Sequence, residues 1–247
     1  MKILVCISKT PDTTAKIAFT DDNTKFAEAG VQWIINPYDE WYALVRAIEI
    51  KEKDPSTIIH LVNVGPAEND AVIRKALALG GDEAFRINSD TRDSYSVALQ
   101  IAEIAKANSY DLILTGKETI DFNNASVGGM VAAFCDMPFV SLAINLQLEG
   151  NKAIIKREIE GGEEICEGNL PLVISCQKGM AEQRIPNMKG IMSARTKPLT
   201  VSEPVAAEPL TTIVSFETPP PKAGVKLIPA DQPEELIRIL HEEEKLI

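Results

Sequence analysis

The sequence predicts an α/β fold, a mostly parallel sheet with helices on both faces, followed by an antiparallel extension and a C-terminal arm that ends in a helix. Short apolar runs recur along the first half, KILVCIS, TIIHLVNV and LILTG among them, which is how strands covered on both faces read. The segments between them carry apolar residues at i, i+3, i+4 and i+7, the stripe of a helix packed on a sheet. Strand and helix in alternation imply parallel strands joined by right-handed crossovers.

Lys2 to Ser8 forms the first strand and runs into a polar loop, Lys9 to Thr14, where Pro11 blocks continuation. Ligands in open α/β sheets bind at the carboxyl ends of strands, so Cys6, Ile7 and Ser8 are candidates for a crevice wall, with a core role for Cys6 equally open. Asn36 suits a helix N-cap, Pro37 the first helical position, and Asp39 and Glu40 place carboxylates in the first turn. That helix continues through Trp41, Leu44, Val45 and Ile48 and ends by Asp54-Pro55. Thr57 to Val64 is a second buried strand, and Gly65-Pro66 turns the chain into a helix with Val72, Ile73, Ala76 and Leu77 inward. Gly80 and Gly81 stop it by supplying a left-handed C-cap. Ala84 to Ile87 is a short strand, and Ser94 to Asn108 a helix with Val97, Ile101, Ile104 and Ala105 inward.

Asp111 to Phe134 is the segment richest in functional signal. The strand LILTG leads through Asp121, Phe122, Asn123, Asn124, Ala125 and Ser126 into a helix whose Val127, Met130, Val131 and Phe134 share one face. Gly128 and Gly129 lie in its first turn, where unpaired backbone N–H groups and the positive end of the helix dipole suit a phosphate. The same Asp, Asn and Ser residues are ordinary N-caps, and on this segment alone both readings stand. Neither GxxxxGK[ST] nor GxGxxG occurs, which removes the usual ATP-hydrolysis loop and dinucleotide fingerprint.

Beyond this helix, Leu142 to Leu148 and Ala153 to Glu158 read as strands joined by a tight turn, with a further strand after Gly161-Gly162 and another from Leu170 to Cys176. Arg184 to Lys197 is a basic loop studded with methionines, either a docking surface through Ile185, Met188 and Ile191 or a connector. Pro198 to Pro221 is rich in proline and reads as an extended arm, and Pro233 to Leu246 as a terminal helix. The expected division is therefore a nucleotide-binding α/β domain over 1–197 and an arm with its helix over 198–247, gripping the core or a partner subunit.

With 247 residues, 45% of them hydrophobic, the chain can bury one substantial core. A formal net charge of −11 argues against nucleic acid or an anionic membrane surface as partner. Met1 leads directly into a strand and no apolar run is long enough for direct membrane insertion, so a cytoplasmic location is the expectation. Cys6, Cys135, Cys166 and Cys176 lack CxxC spacing and read as buried free thiols, and with only His60 and His241 no histidine-based metal or acid–base site is expected.

Five ordered blocks carry a family resemblance: KILVCISKTPD, INPYDEWYALVRAIEIKE, GPAENDAVIRKALALGGDEAFRI, LTGKETIDFNNASVGGMVAAF and REIEGGEEICEGNLPLVIS, extended by QRIPNMKGIMSARTK and PPKAGVK. On them the chain closely resembles the β subunit of electron-transfer flavoprotein along nearly its whole length, the Arg157–Gly162 to Pro171 block being the most specific. Cys166 and Ser175 differ from the residues usual there without disturbing the spacing.

The resemblance implies an adenine-nucleotide alpha hydrolase-like fold and a heterodimer with an α subunit that mainly holds an FAD. This carrier, not itself an enzyme, takes electrons from acyl-CoA and other flavin dehydrogenases and passes them to a quinone oxidoreductase. It also implies a structural AMP, cradled by Cys6, by Asn36, Pro37, Tyr38 and Asp39, by Val64, and by Asp121 to Ala132. Tyr38 would approach the FAD, and Met188 would be the apolar plug that enters a dehydrogenase. In the bifurcating branch of the family a second FAD fills the AMP site, with NADH as donor, over a loop that commonly reads Asp-Gly-Asp-Thr-Ala-Gln-Val-Gly. Here Phe122 stands where that loop has its glycine and Asn124 where it has threonine, which favours AMP or an empty site over a second flavin. A free-standing nucleotide-binding regulator of the same fold is the remaining alternative.

Overall fold

The computed structural model describes residues 1–222 and 224–247; Ala223, in the PPKAGVK block, lies outside the described residues. The chain divides into two units, residues 1–16 with 27–214 and residues 17–26 with 215–247. In chain order the elements are β1 (Lys2–Cys6), β2 (Lys9–Pro11), β3 (Phe19–Thr20), β4 (Lys25–Phe26), β5 (Trp33–Ile35), α1 (Asp39–Lys53), β6 (Ile58–Val64), α2 (Asp70–Leu79), β7 (Glu83–Ile87), α3 (Ser94–Asn108) and β8 (Leu112–Gly116). They continue with α4 (Val127–Cys135), β9 (Phe139–Glu149), β10 (Lys152–Ile159), β11 (Gly162–Asn169), β12 (Leu172–Cys176), α5 (Met188–Ala194), β13 (Leu199–Ser202) and α6 (Pro233–Arg238).

The first unit is built on a nine-stranded sheet of order β11-β10-β9-β12-β8-β1-β6-β7-β13. Every neighbouring pair from β9 to β13 is parallel, while β10 runs antiparallel to both β9 and β11, as the sequence predicts. The pleat explains the continuous apolar runs. Ile3, Val5 and Ile7 join the layer of α1 and α2, where Leu44, Ile48, Ile73 and Leu77 are buried, and Leu4 and Cys6 join the layer of α3 and α4 with Ile101, Ala105 and Val131. Each Leu or Ile taken fully out of water stabilises the fold by about 1.5–3 kcal/mol, so the two layers carry most of the stability. The four cysteines are free; Cys6 and Cys176 are buried as expected, whereas Cys135 and Cys166 are only partly buried.

Four local expectations in the first unit differ. Gly80 has φ 163°, an extended and not a left-handed value. Glycine stands at 80 and 81 for space: a Cβ there would lie 2.7 Å from Ile48 Cγ1 and 2.8 Å from Leu61 Cδ1 respectively. The polar loop after the first strand includes β2, paired antiparallel with β5; Pro11 sits in this two-stranded ribbon, where no further ladder is needed from it. The methionine-bearing loop contains the helix α5, capped by Asn187, whose Oδ1 accepts from Gly190 N at 2.8 Å. The proline-rich arm begins with β13, which adds to the sheet edge beside β7.

The chain after β13 lies along α3. Gln100 exchanges two hydrogen bonds with the Val205 backbone, at 2.8 and 2.9 Å. Buried Asp93 caps α3 through Ser96 N with one oxygen, at 2.9 Å, and with the other accepts from Thr211 N and Oγ1 at 3.0 and 2.6 Å. In the second unit β3 and β4 form a hairpin whose turn residues Asp21, Asp22 and Asn23 all have positive φ. Phe216 stacks on Phe19 with centroids 4.9 Å apart and donates its backbone N–H to Asn23 O. The terminal helix is shorter than the expected Pro233 to Leu246: α6 stops at Arg238 and a π-helical turn, Ile239–Glu243, follows; Arg238 pairs with Glu235, and Leu236 and Ile237 are exposed. Among the described residues no helix is long and apolar enough to cross a membrane.

Asp93→Ala removes the α3 cap and the anchor of the following chain together. It is expected to cost about 1–2 kcal/mol in urea unfolding and to speed proteolysis between Ser202 and Val214. Burial works to raise the Asp93 carboxyl, but hydrogen bonds from Thr211 and Ser96 outweigh it and hold it at about 2. A depressed acid stabilises above its unfolded value, so this contribution is complete above about pH 4 and is lost as pH falls toward 2, a slope the Ala variant should lack.

Candidate functional site

The chain order reverses between β1 and β8, so the connections leaving their carboxyl ends diverge and leave a crevice. The loops that rim it need partners for their backbone groups, and buried side chains supply them. Asn36 is fully buried and bridges two segments of chain: its Nδ2 donates to Glu118 O at 2.8 Å and its Oδ1 accepts from Ile120 N at 3.0 Å. This corrects its expected role as N-cap of α1. The cap position is taken by Tyr38, at φ 67°, and Pro37 precedes it outside the helix. Tyr38 makes no side-chain cap and the residue is 53% exposed, an aromatic held on a strained backbone. Asp39 Oδ2 accepts from Glu118 N at 3.3 Å, a further tie between these loops.

Beneath them lies Glu40. Its two oxygens accept from Ser8 N at 2.5 Å and Ser8 Oγ at 2.7 Å, clasping the end of β1 to the first turn of α1. Gly116 makes room for it, since a Cβ there would fall 2.7 Å from Glu40 Cγ. Burial pushes the Glu40 carboxyl up to about 8 against the pull of the Ser8 hydrogen bonds, and the charges of Asp121 and Asp39 push the same way. Cys6 is buried beside this group, and burial, with Glu40 and Cys135 adding to it, drives its thiol far up. Asn63, at the end of β6, donates to Ile7 O at 2.8 Å and accepts from Asn69 at 2.9 Å, and Val64 beside it is half-buried.

On the far side of the crevice the loop from Asp121 to Ser126 holds Asn123 and Ala125 at φ 51°. Asn124 Nδ2 donates to Ser94 Oγ at 3.2 Å. None of these residues caps α4. Ser126 occupies the cap position without a side-chain hydrogen bond, so the ordinary capping role expected of Asp121, Asn123, Asn124 and Ser126 is not the one they play. The first turn of α4, Val127, Gly128 and Gly129, presents N–H groups that no side chain caps. Gly128 is small because a Cβ there would meet Thr115 Oγ1 at 2.7 Å, and that hydroxyl is buried without a partner among the described residues. Val131 and Ala132 face the core, Met130 is half-buried, and Phe122 is partly exposed.

A second surface lies on α5. Ile185 is 88% exposed and Met188 73%, with Ile191 and Met192 exposed beside them. Cations clamp the segment from beneath. Arg184 forms two hydrogen bonds to Glu52, Trp41 Nε1 donates to Arg184 O at 3.1 Å, Arg74 donates to Ala194 O and Lys197 O, and Lys197 donates to Leu77 O and Gly81 O. Gly190 lies so close to the end of α2 that a Cβ would collide with Ala78 O. Much of the basic character in this stretch therefore positions the helix, and the apolar residues are what it offers outward.

The description "Electron transfer flavoprotein domain" matches residues 23–207. The chain is 39% identical to the electron transfer flavoprotein subunit beta of Syntrophomonas wolfei, an alignment covering 95% of this chain and 92% of that protein. It is 37% identical to the protein of the same name from Bacillus subtilis, with both chains covered in full. A caffeyl-CoA reductase-Etf complex subunit CarD from Acetobacterium woodii is 33% identical, with 92% of each covered.

Asn36→Ala removes both hydrogen bonds that pin residues 118–120. The expected result is a loss of about 1–3 kcal/mol in stability, with amide exchange at Ile120 accelerated well beyond that of β8.

Proposed function

The chain belongs to the electron transfer flavoprotein family as a β subunit, and from that premise we propose that it pairs with an α subunit, holds AMP in the crevice between β1 and β8, and helps to hold the FAD carried mainly by the α subunit. The observation that carries the nucleotide reading is the first turn of α4, which lacks a side-chain cap and faces a loop held at positive φ at Asn123 and Ala125. Residues Asn36 to Asp39, Cys6 and Val64 supply the opposite wall. FAD supplies the redox chemistry when bound; the residues of this chain set position, packing and electrostatics. Tyr38, exposed on its strained turn, is the group we assign to the flavin edge.

As a carrier the subunit receives electrons from acyl-CoA or other flavin dehydrogenases and delivers them to a quinone oxidoreductase. The apolar crown of α5, with Met188, Ile185 and Ile191, is the proposed docking element, and methionine's flexible thioether suits several partners. A second reading, in which another FAD fills the AMP crevice and NADH is the donor, draws on the similarity to the Etf-complex subunit. Phe122 and Asn124 speak for AMP, since bulk replaces a glycine of the flavin-binding loop and Asn124 is already engaged with Ser94.

Denaturing the purified αβ complex and quantifying released nucleotides should give one FAD and one AMP per heterodimer; two FAD would replace the carrier reading by the second one. Met188→Ala should raise the apparent KM for a dehydrogenase partner at least several-fold with flavin content unchanged, and an unchanged KM would remove the docking assignment.

A further inference from the structure

Glu40 is a buried acid with no paired cation among the described residues. It is 5% exposed, its hydrogen bonds come from Ser8 alone, and among the described residues it takes part in no ion pair. The charged groups facing it are acids. Asp39 adjoins it on α1, and Asp121 faces it from the loop after β8. Cys6, buried on β1, is near enough for each charge to act on the other. On that same loop Lys117 is paired with Glu118 at 2.9 Å. A buried carboxylate with acids around it is stable chiefly in its neutral form.

This group sits under the crevice in which the nucleotide reading places a phosphate, and the inference rests on that reading. A phosphate entering beside Asp39 and Asp121 adds negative charge to a space that already disfavours an ionised Glu40. Linkage is reciprocal, so an ionised Glu40 must weaken the phosphate in the same proportion. We propose that Glu40 is the proton-binding group of the nucleotide crevice, which accepts the nucleotide while Glu40 carries its proton and releases it when Glu40 ionises. The proton comes from solvent and resides on Oε1, where Ser8 Oγ turns from donor to acceptor, while Oε2 keeps the Ser8 N–H.

The sign follows from the direction of the shift. With the carboxyl held at about 8, the crevice is in its protonated form at neutral pH and loses the proton as pH rises through that value. Bound phosphate raises the carboxyl further, so affinity falls by up to about tenfold per pH unit above pH 8. The second ionisation of a phosphate ester, near 6, is complete before this window opens.

The test is calorimetric titration of AMP into the full chain purified with its α subunit and freed of nucleotide, from pH 7 to 9.5, in two buffers of different ionisation enthalpy. The wild type should bind more weakly as pH rises above 8 and should take up a proton on binding, seen as a buffer-dependent heat; Glu40→Gln, whose amide cannot ionise, should lose the slope. AMP affinity that is flat across the window, or a Gln variant that keeps the slope, overturns the inference and leaves the nucleotide reading standing. No AMP binding at any pH overturns both. The buffer-dependent heat of the wild type decides the matter even if the variant does not fold.

Discussion

The reversal of strand order between β1 and β8 is the constraint from which the rest of the site follows. Right-handed crossovers leaving two neighbouring parallel strands in opposite directions cannot both cover the gap between them, so the sheet is open there. Loops entering that gap lose water without gaining a ladder. Their backbone groups are satisfied by side chains, and this is why the polar residues Asn36, Glu40 and Asn63 are buried here. Ser8, clasped by Glu40, fixes where β1 ends; Asn36 fixes where the loop after β8 begins.

The same economy of partners leaves donors free. The two loops closest to the gap hold Tyr38, Asn123 and Ala125 in left-handed conformations, each costing on the order of 1–3 kcal/mol for a residue with a Cβ. A loop relaxed into an ordinary turn could have laid Ser126 or Asn124 over the start of α4 as a cap. Instead Asn124 is drawn away to Ser94 and the first turn of α4 keeps its N–H groups. Strain and an uncapped helix are thus one feature seen from two sides, and the two apolar layers supply the stability that makes it tolerable.

The architecture was legible because it depends on periodicity. Continuous apolar runs with helical stripes between them placed β1, β6, β8 and α1 to α4 within a few residues, and both core layers follow from the pleat. The segments that rim the crevice were legible too, as turns of small polar residues at strand ends. What the residues do there was not. Asn36 before Pro37 has the pattern of a cap, and only the three-dimensional approach of residues 118–120 turns its side chain elsewhere. Glu40 reads as one more first-turn acid, because nothing local reveals that Ser8 and Gly116 close over it. Gly80 and Gly81 carry the signature of a left-handed stop, yet Ile48 and Leu61, distant in sequence, are what demand glycine. Each of these misses is a long-range contact overriding a local rule.

On α5 the division of labour between charge and apolar surface runs against the first impression of a basic loop. Arg184, Arg74 and Lys197 spend their donors on Glu52 and on backbone carbonyls, so the segment is held at both ends and at its middle, where Gly190 meets Ala78. A helix this short would not persist in water on its own propensity, and the clamps are what allow Met188, Ile185 and Ile191 to stay exposed in a defined arrangement. An apolar surface on a protein of net charge −11 can thus recognise shape without collapsing onto its own core, because Arg184, Arg74 and Lys197 hold the segment in place.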